Sequence, residues 1–232
     1  MEKQKYAAIV LAAGSGKRMN SKVHKQYLII QDRPVLYYSL KEFEDSAVDE
    51  IVLVVGKGEE EFCRKEIVDK YGISKVKAIV EGGKERYHSV FEGLKQTSDA
   101  DYVLIHDGAR PFVNQDIIRR CMQEVQKYQA CVVGMPVKDT IKIADEEGYA
   151  KQTPDRKNVW MIQTPQTFSY ALIYEAYEEM LKTEDTAITD DAMVLERIKG
   201  KKSKLIEGSY RNIKITTPED LLIANVYLQH PE

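Results

Sequence analysis

The 232-residue sequence has few cysteines, no long hydrophobic run and little net charge. Its three cysteines, Cys63, Cys121 and Cys131, are too few and too scattered for a disulfide framework or a zinc site, and they favour a reducing, cytoplasmic setting. No apolar stretch approaches the roughly 18 residues of a membrane span, and the N-terminal residues lack a signal-peptide cleavage pattern, so we expect neither. The net charge of −3 provides no overall positive field for nucleic acid, so any anion site must be local.

Apolar strands alternate with amphipathic helices over more than half of the chain. The strands are continuously apolar and β-branched, which is typical of parallel strands that helices cover on both faces. We therefore predict an α/β fold with a mostly parallel, twisted sheet between two layers of helices, and we expect residues 1–232 to form a single domain. The predicted strands are 7–13, 50–56, 76–80, 101–107 and 130–137, and the predicted helices are 34–44, 58–71, 84–96 and 115–128.

A polar hairpin is predicted after this sheet, at about residues 137–160. Ile141 and Ile143 alternate with polar residues, and Glu147-Gly148 supplies a turn. A two-stranded arm is marginally stable by itself, so we expect it to project from the sheet and to pair with a second copy of the chain in a homodimer. A surface excursion without a partner is the alternative.

Two capping patterns predict the last helices. Thr189-Asp190-Asp191 precedes an apolar segment and places acids at a positive helix start. Thr217-Pro218-Glu219-Asp220 combines an N-cap threonine, a proline at the first helical position and an acid three residues after the cap.

A glycine loop follows the first predicted strand. The apolar run from Ala8 to Ala12 ends at Gly14-Ser15-Gly16. Glycine leaves the backbone N–H groups accessible to a phosphate chain, and cations behind the loop would balance several phosphate charges. The loop therefore indicates a nucleoside triphosphate site, with an ordinary turn beside a solvated basic surface as the alternative. The basic or imidazole side chains that follow are Lys17, Arg18, Lys22, His24 and Lys25.

Two better-known glycine motifs do not fit this loop. The P-loop pattern would need glycine at position 11 and serine or threonine at position 18, where the chain has Leu11 and Arg18. The dinucleotide-binding pattern would need glycine at position 19, which is Met19. A dehydrogenase is therefore not expected.

Four further polar clusters lie at or near predicted strand ends, where ligands of parallel sheets bind. Asp107 is suited to a metal or a ribose hydroxyl, and Arg110 to an anion, whereas we expect His106 to be a buried, hydrogen-bonded imidazole. We place Thr164 before a proline turn and Lys214 on a short strand. The four clusters are EGGKERYHSV (81–90), HDGARPF (106–112), QTPQTF (163–168) and YRNIKITTPEDL (210–221).

Nine short motifs occur in order along the chain: AAGSGKRM, HKQY, GGKERYHSV, HDGARPF, VKDT, DRKNVW, QTPQTF, ITDDA and NIKITTPEDL. Together they resemble the 2-C-methyl-D-erythritol 4-phosphate cytidylyltransferase family of the non-mevalonate isoprenoid pathway along essentially the whole chain. The resemblance implies a Rossmann-like, nucleotide-diphospho-sugar transferase-like sheet with a dimerising β-arm. It also implies transfer of CMP from CTP to the alditol phosphate, with Mg²⁺ and release of pyrophosphate.

The resemblance also implies roles for individual residues. Arg18 and Lys25 would stabilise the transition state, and Arg156 and Lys214 would aim the attacking phosphate. Mg²⁺ would be held mainly by the triphosphate oxygens, with Asp107 as a further candidate ligand. Thr140 and Arg156 lie in the arm, so they would enter the site of the neighbouring subunit. The nucleotide-binding positions are Ala13, Gly14, Gly16, Gly82, Gly83 and Ser89, and the substrate-binding positions are Asp107, Arg110, Thr140, Thr164 and Thr189.

Two rival functions remain at this stage. A ribitol 5-phosphate cytidylyltransferase of teichoic acid synthesis would share the mechanism, although AAGSG and HDGARPF resemble the methylerythritol enzymes more. A non-catalytic nucleotide-binding protein would not need cations at both ends of the site. Lys84 stands where some relatives carry an acid, Gly108 where some carry alanine, and His24 where proline is common.

Overall fold

The computed structural model describes residues 3–14, 19, 23–183 and 187–230. These residues form a seven-stranded sheet with helices on both faces, which confirms the predicted α/β class. The strands are β1 (Tyr6–Ala12), β2 (Ile29–Ile30), β3 (Arg33–Pro34), β4 (Glu50–Val55), β5 (Val76–Glu81), β6 (Tyr102–Asp107), β7 (Ala130–Pro136), β8 (Ile143–Ala144), β9 (Ala150–Gln152), β10 (Trp160–Ser169) and β11 (Lys204–Glu207). The helices are α1 (Val35–Asp45), α2 (Glu60–Cys63), α3 (Arg86–Leu94), α4 (Gln115–Tyr128), α5 (Tyr170–Met180), α6 (Asp191–Lys199) and α7 (Pro218–Gln229).

The central sheet is mostly parallel, with the strand order β11-β7-β10-β6-β1-β4-β5. Strand β10 runs antiparallel to both of its neighbours, β6 and β7, whereas the other paired strands are parallel. Alternate residues of each central strand face opposite sides of the sheet. On β1, for example, Ala8 and Val10 pack with α1 and α4, whereas Ala7 and Ile9 pack with α3, α5 and α6. The sheet therefore separates two hydrophobic layers.

The prediction of a proline turn at Thr164 was wrong. Residues 163–168 belong to β10, a strand inside the sheet, and α5, which follows it, was also not predicted. Proline has no N–H for a strand ladder, so it normally argues against a central strand. Here the ladder to β7 is interrupted between Ile162 and Gln166, and Pro165 lies within that interruption.

The prediction of a short strand at Lys214 was also wrong. Residues 212–216 run without a strand ladder, and β11 ends earlier, at Glu207. The segment is held by single hydrogen bonds instead, such as the one that the Ile215 N–H donates to the Ala109 carbonyl oxygen over 2.8 Å. Lys214 is thereby placed beside the end of β6 although it is not part of the sheet.

The arm is present at the predicted place. Strands β8 and β9 pair antiparallel, and the turn between them has Gly148 at φ +88°, a conformation that favours glycine. The Asp145 carboxylate accepts hydrogen bonds from the N–H groups of Glu147 and Tyr149 and so closes the turn. The arm leaves the sheet at Pro136 and returns at Trp160, two residues that pair at the ends of β7 and β10. It is therefore rooted at the edge of the sheet where the parallel strands end.

The helix starts follow the predicted caps. The Asp190 side chain accepts a hydrogen bond from the Met193 N–H at the start of α6. Thr217 and Asp220 form a capping box around Pro218 at the start of α7. Within the described ranges, no helix combines the length and apolarity that a membrane crossing requires.

A substitution at Gly93 of α3 would test how closely this helix packs against the sheet. A Cβ atom at Gly93 would lie 2.5 Å from Ile9 Cγ2 of β1. Alanine normally stabilises a helix by about 1 kcal/mol relative to glycine, whereas forced overpacking costs about 1–3 kcal/mol. We expect Gly93→Ala to lower the free energy of unfolding in urea by about 1 kcal/mol. An increase would show that α3 can move away from β1 at little cost.

Candidate active site

A cavity of 510 Å³ opens where β1 and β6 end. The end of β1 and its glycine loop, the start of α3, Asp107 and the segment around Lys214 line it. A larger cavity of 610 Å³ lies between α1, the turn after β6 and α7, but it contains none of the predicted site residues. We assign the site to the smaller cavity, because it lies at the carboxyl ends of the strands and combines glycine backbone with cations. The predicted residues that line it are Ala13, Gly14, Lys25, Gly83, Ser89, Asp107 and Lys214.

Two glycine loops meet at one side of the cavity. A Cβ atom at Gly82 would lie 2.6 Å from Ala13 Cβ and 2.7 Å from Ser89 Oγ, so a side chain there would force the loops apart. The Gly83 N–H donates to Ser89 Oγ over 3.1 Å. Glu85 and His88 form a capping box at the start of α3. Contacts among its own residues therefore hold the loop of Gly82 and Gly83 in shape, and the two glycines leave its backbone open beside the cavity.

Lys25 and Lys214 come together although they are far apart in the sequence. The Lys25 ammonium donates to the carbonyl oxygen of Ile215 over 2.9 Å, which places it beside the Lys214 segment. The buried Gln26 amide donates to the Ala12 carbonyl oxygen and so ties this turn to the end of β1. The Lys25 charge is thus held at one edge of the cavity by a backbone contact.

Asp107 is the buried anion of the site. Its Oδ2 lies 2.9 Å from Lys214 Nζ and 3.4 Å from Arg110 Nε, and its Oδ1 lies 3.6 Å from Arg86 Nε. Burial opposes ionisation of this carboxyl, but the charges of Lys214, Arg86 and Arg110 hold its pKa well below the usual range. The carboxylate is therefore charged at neutral pH and fixes three cations around the end of β6.

His106 holds two neighbours of Asp107 in place. Its Nε2 lies 3.3 Å from the Arg110 carbonyl oxygen, which can only accept, so Nε2 carries the proton. The neutral ring then accepts at Nδ1 from the Thr164 hydroxyl over 3.0 Å, and that hydroxyl accepts from the Asp107 N–H over 3.1 Å. Burial lowers the pKa of His106 to about 4, which confirms the expectation of a buried, hydrogen-bonded imidazole.

None of the other predicted residues that the structure describes lines the cavity. Thr164 is buried behind Asp107, and Arg110 contacts Asp107 from outside the cavity wall. Thr140 and Arg156 are exposed on the arm, where the Arg156 guanidinium donates to the Lys138 carbonyl oxygen. Thr189 is exposed just before α6. Gly16 and Arg18 lie outside the described residues.

The three departures from family residues have separate structural settings. Lys84 is exposed at the rim of the cavity, so it changes the charge there rather than the path of the loop. His24 has φ −60°, a value that proline also adopts. A Cβ atom at Gly108 would lie 2.7 Å from Leu36 Cδ1 and 3.0 Å from the Leu11 carbonyl oxygen, so glycine allows this turn to pack closely on β1.

Arg86 and Asp191 were not predicted from the sequence as site residues. Arg86 lines the cavity, and its guanidinium forms two hydrogen bonds, of 2.7 and 2.8 Å, with the fully buried carboxylate of Asp191. Both residues lie in motifs used above, GGKERYHSV and ITDDA. The available signal was the second aspartate of ITDDA, because Asp190 alone suffices as the helix cap.

Comparisons with known proteins agree with this geometry. The model of the 2-C-methyl-D-erythritol 4-phosphate cytidylyltransferase family matches residues 6–230. A protein of that name from Lachnospira eligens is 54% identical over 224 residues, with 96% of this chain and 98% of the relative covered. Another, from Lachnoclostridium phytofermentans, is 50% identical over 226 residues, with 97% of each chain covered. The crystal structure of 4-diphosphocytidyl-2C-methyl-D-erythritol synthase from Anaerococcus prevotii matches with a TM-score of 0.86 at 38% identity, covering 98% of this chain and 97% of that one.

The parallel sheet, the glycine loops and the cations at its carboxyl edge define the class of nucleotidyltransferases. Within that class, the chain belongs to the 2-C-methyl-D-erythritol 4-phosphate cytidylyltransferase family.

The buried imidazole leads to a pH dependence of stability. Between an ordinary histidine pKa near 6.5 and the folded value of about 4, the unfolded chain binds a proton that the folded chain excludes. The stabilisation that comes from keeping His106 neutral in the folded state is therefore fully present above pH 6.5 and is lost as the pH falls toward the folded pKa of about 4. We expect the free energy of unfolding in urea to drop by about 2 kcal/mol between about pH 7.5 and about pH 5.

His106→Asn is the control, since asparagine can still accept from Thr164 but does not titrate in this range. We expect the variant to be less stable at neutral pH but to show a smaller pH dependence. An equal drop in both proteins would assign the effect to other groups.

Proposed function

We propose that this protein transfers CMP from CTP to 2-C-methyl-D-erythritol 4-phosphate, with release of pyrophosphate. The observation that carries this proposal is the cluster of Lys25, Lys214 and Asp107 beside two glycine loops at the carboxyl edge of the sheet. Membership of the family supports the choice of substrates, because the relatives are named for this reaction.

The chemistry requires positioning rather than a base. The attacking group is a phosphate oxygen that is already anionic at neutral pH. It forms a bond to the α-phosphorus of CTP while the bond from that phosphorus to the pyrophosphate oxygen breaks. The difficulty is to bring two polyanions together and to stabilise the charge that develops on the α-phosphate and the leaving group. We assign this stabilisation to Lys25 and, by its motif, to Arg18.

The glycine loops are suited to the nucleotide. Ala13, Gly14 and Gly16 would offer backbone N–H groups to the triphosphate. Gly82 and Gly83 would let the cytosine approach the backbone, with Ser89 keeping their loop in shape. The close contact between Gly82 and Ala13 supports this role, since it places the base loop directly against the phosphate loop.

The end of β6 is suited to the alditol phosphate. Asp107 would accept hydrogen bonds from its hydroxyl groups, while Arg110 holds the carboxylate and the Thr164 hydroxyl accepts from the Asp107 backbone N–H. The Lys214 ammonium has three N–H groups, so it can keep Asp107 and still donate to the attacking phosphate. Thr189 would approach this substrate from the segment before α6.

The arm supports a homodimer. Ile143 and Tyr149 are exposed on it, Tyr149 with 70% of its surface accessible, and such apolar side chains favour a protein partner. The arm begins at the carboxyl edge of the sheet, beside the site. We propose that it carries Thr140 and Arg156 into the site of the second copy, where Arg156 would aim the attacking phosphate together with Lys214.

We expect Mg²⁺ to enter this site bound to the nucleotide rather than to protein side chains. Within the described ranges, no group of three or more His, Cys, Asp or Glu side chains could hold a metal ion. Asp107 already has three cations around it, so it is a poor principal ligand. We propose that the triphosphate oxygens hold the ion, which would neutralise phosphate charge when bound.

Composition supports a cytoplasmic enzyme that acts on small molecules. Cys63, Cys121 and Cys131 are free thiols buried in the core, which suits a reducing compartment. The net charge of −3 gives no general attraction to nucleic acid or to an acidic membrane surface. We therefore propose CTP, the alditol phosphate and a second copy of the chain as the partners.

Pyrophosphate release with CTP tests the function directly. We expect rapid release with 2-C-methyl-D-erythritol 4-phosphate, little with ribitol 5-phosphate, and little when UTP replaces CTP. A preference for ribitol 5-phosphate would keep the mechanism and move the protein to teichoic acid synthesis. No release with either alditol phosphate would contradict the proposal.

Mixed dimers test whether the site is shared. Lys25→Ala and Arg156→Ala should each be nearly inactive as homodimers. In a mixed dimer, one site keeps its own Lys25 and receives an intact Arg156, so random subunit exchange should restore about a quarter of wild-type activity.

Lys157→Ala is the matched control, because Lys157 is a cation on the same turn of the arm and is held by Asp155. It should retain wild-type activity by itself. Absence of recovery after verified subunit exchange would place Arg156 in its own subunit's site or outside the reaction.

A further inference from the structure

Arg86 joins two carboxylates that belong to different parts of the fold. Its two terminal nitrogens lie 2.7 and 2.8 Å from the Asp191 oxygens, and its Nε lies 3.6 Å from Asp107 Oδ1. All three guanidinium nitrogens thus lie within hydrogen-bond or ion-pair distance of carboxylate oxygens. A planar fork of this kind fixes its own orientation, which a lysine ammonium cannot do.

The Asp191 end of this connection is a rigid anchor. The Asp191 side chain is fully buried, and its Oδ1 accepts a hydrogen bond of 2.6 Å from the Tyr177 hydroxyl. The Gln166 amide oxygen accepts from the Asp191 and Ala192 N–H groups, which also fixes the backbone there. Arg86 therefore extends from the core at α5 and α6 to the cavity.

The Asp107 end is the part that faces the substrate. Lys214 and Arg110 both contact Oδ2, whereas Arg86 lies beside Oδ1. With contacts on both oxygens, the carboxylate plane is set, and so is the direction of its remaining lone pairs. Without Arg86, only Oδ2 would keep a cation among the described residues.

The nucleotide side does not depend on this contact. The capping box of Glu85 and His88 and the bond from the Gly83 N–H to Ser89 hold the base loop by themselves. Loss of the Arg86 fork should therefore affect the alditol phosphate more than CTP.

We propose that Arg86 is a positioning residue that uses the buried Asp191 carboxylate as an anchor to set the Asp107 carboxylate for the alditol phosphate. This inference rests on the proposed function, in which Asp107 binds that substrate. Arg86 does not have to touch either substrate to act in this way.

Arg86→Lys and Tyr177→Phe form a matched pair of variants. Arg86→Lys keeps the charge but has one nitrogen in place of three. Tyr177→Phe removes one hydrogen bond to Asp191 but leaves both hydrogen bonds between Arg86 and Asp191, so it reports a purely structural loss. Thermal unfolding shows whether each variant is folded. Asp191→Asn, which removes the anchor charge with little change of shape, replaces Arg86→Lys if that variant does not fold.

Steady-state kinetics separates the two roles. We expect Arg86→Lys to raise KM for the alditol phosphate about tenfold and to leave KM for CTP within about twofold. Tyr177→Phe should lower the melting temperature and leave both KM values within about twofold. Unchanged KM values in Arg86→Lys, equal increases for both substrates, or the same increases in Tyr177→Phe would each overturn the proposal.

A crystal structure of the Arg86→Lys or Asp191→Asn variant shows the orientation of the Asp107 carboxylate directly, without any substrate. We expect the Asp107 carboxylate to turn relative to its wild-type position, and an unmoved carboxylate would overturn the proposal. If the wild-type protein turns over no alditol phosphate, that result counts against the proposed function alone, and the position of Asp107 still decides whether Arg86 sets it.

Discussion

Burial of the Asp107 carboxylate is the constraint on which the site depends. An unpaired charge in this position would be costly, so the fold must supply cations around it. It draws them from three separate segments: Arg86 from α3, Arg110 from the turn after β6, and Lys214 from the segment before α7. Two of these cations, Arg86 and Lys214, also line the cavity in which we propose that a polyanionic substrate binds. A requirement of folding and a requirement of electrostatic catalysis are met by one arrangement.

The parts of the fold that could be predicted are those with local signals. Strands such as β1 and β4 are continuously apolar, and the glycine loops need small residues at fixed positions. Strand β10 was missed because Gln163–Thr167 are polar residues around a proline. Their burial is tolerated because residues far away in the sequence satisfy their polar groups. Gln163 donates to the Ser209 carbonyl oxygen, and Gln166 forms hydrogen bonds with the start of α6.

The candidate site could be predicted in outline for the same reason. Residues at strand ends, such as Asp107, and in glycine loops, such as Gly83, follow from the chain pattern and the family motifs. The contact of Arg86 with Asp191 joins residues that are 105 positions apart, and no local pattern indicates such a pair. Nor does any local pattern indicate that Lys214 lies outside the sheet, since its segment is placed by isolated hydrogen bonds to the Ala109 turn and to Lys25.

The placement of Lys214 outside the sheet has a consequence for the way activity is lost. Its segment leads into α7, and of that helix, which lies wholly within the described ranges, only Ala224 is buried, whereas Leu222 and Val226 are largely exposed. Ile215 anchors the segment in the core, but a helix that buries one residue opens at a lower free energy than the central strands do. Mild heating or denaturant would therefore detach Lys214 from Asp107 while the sheet remains folded, and we expect activity to be lost before global unfolding.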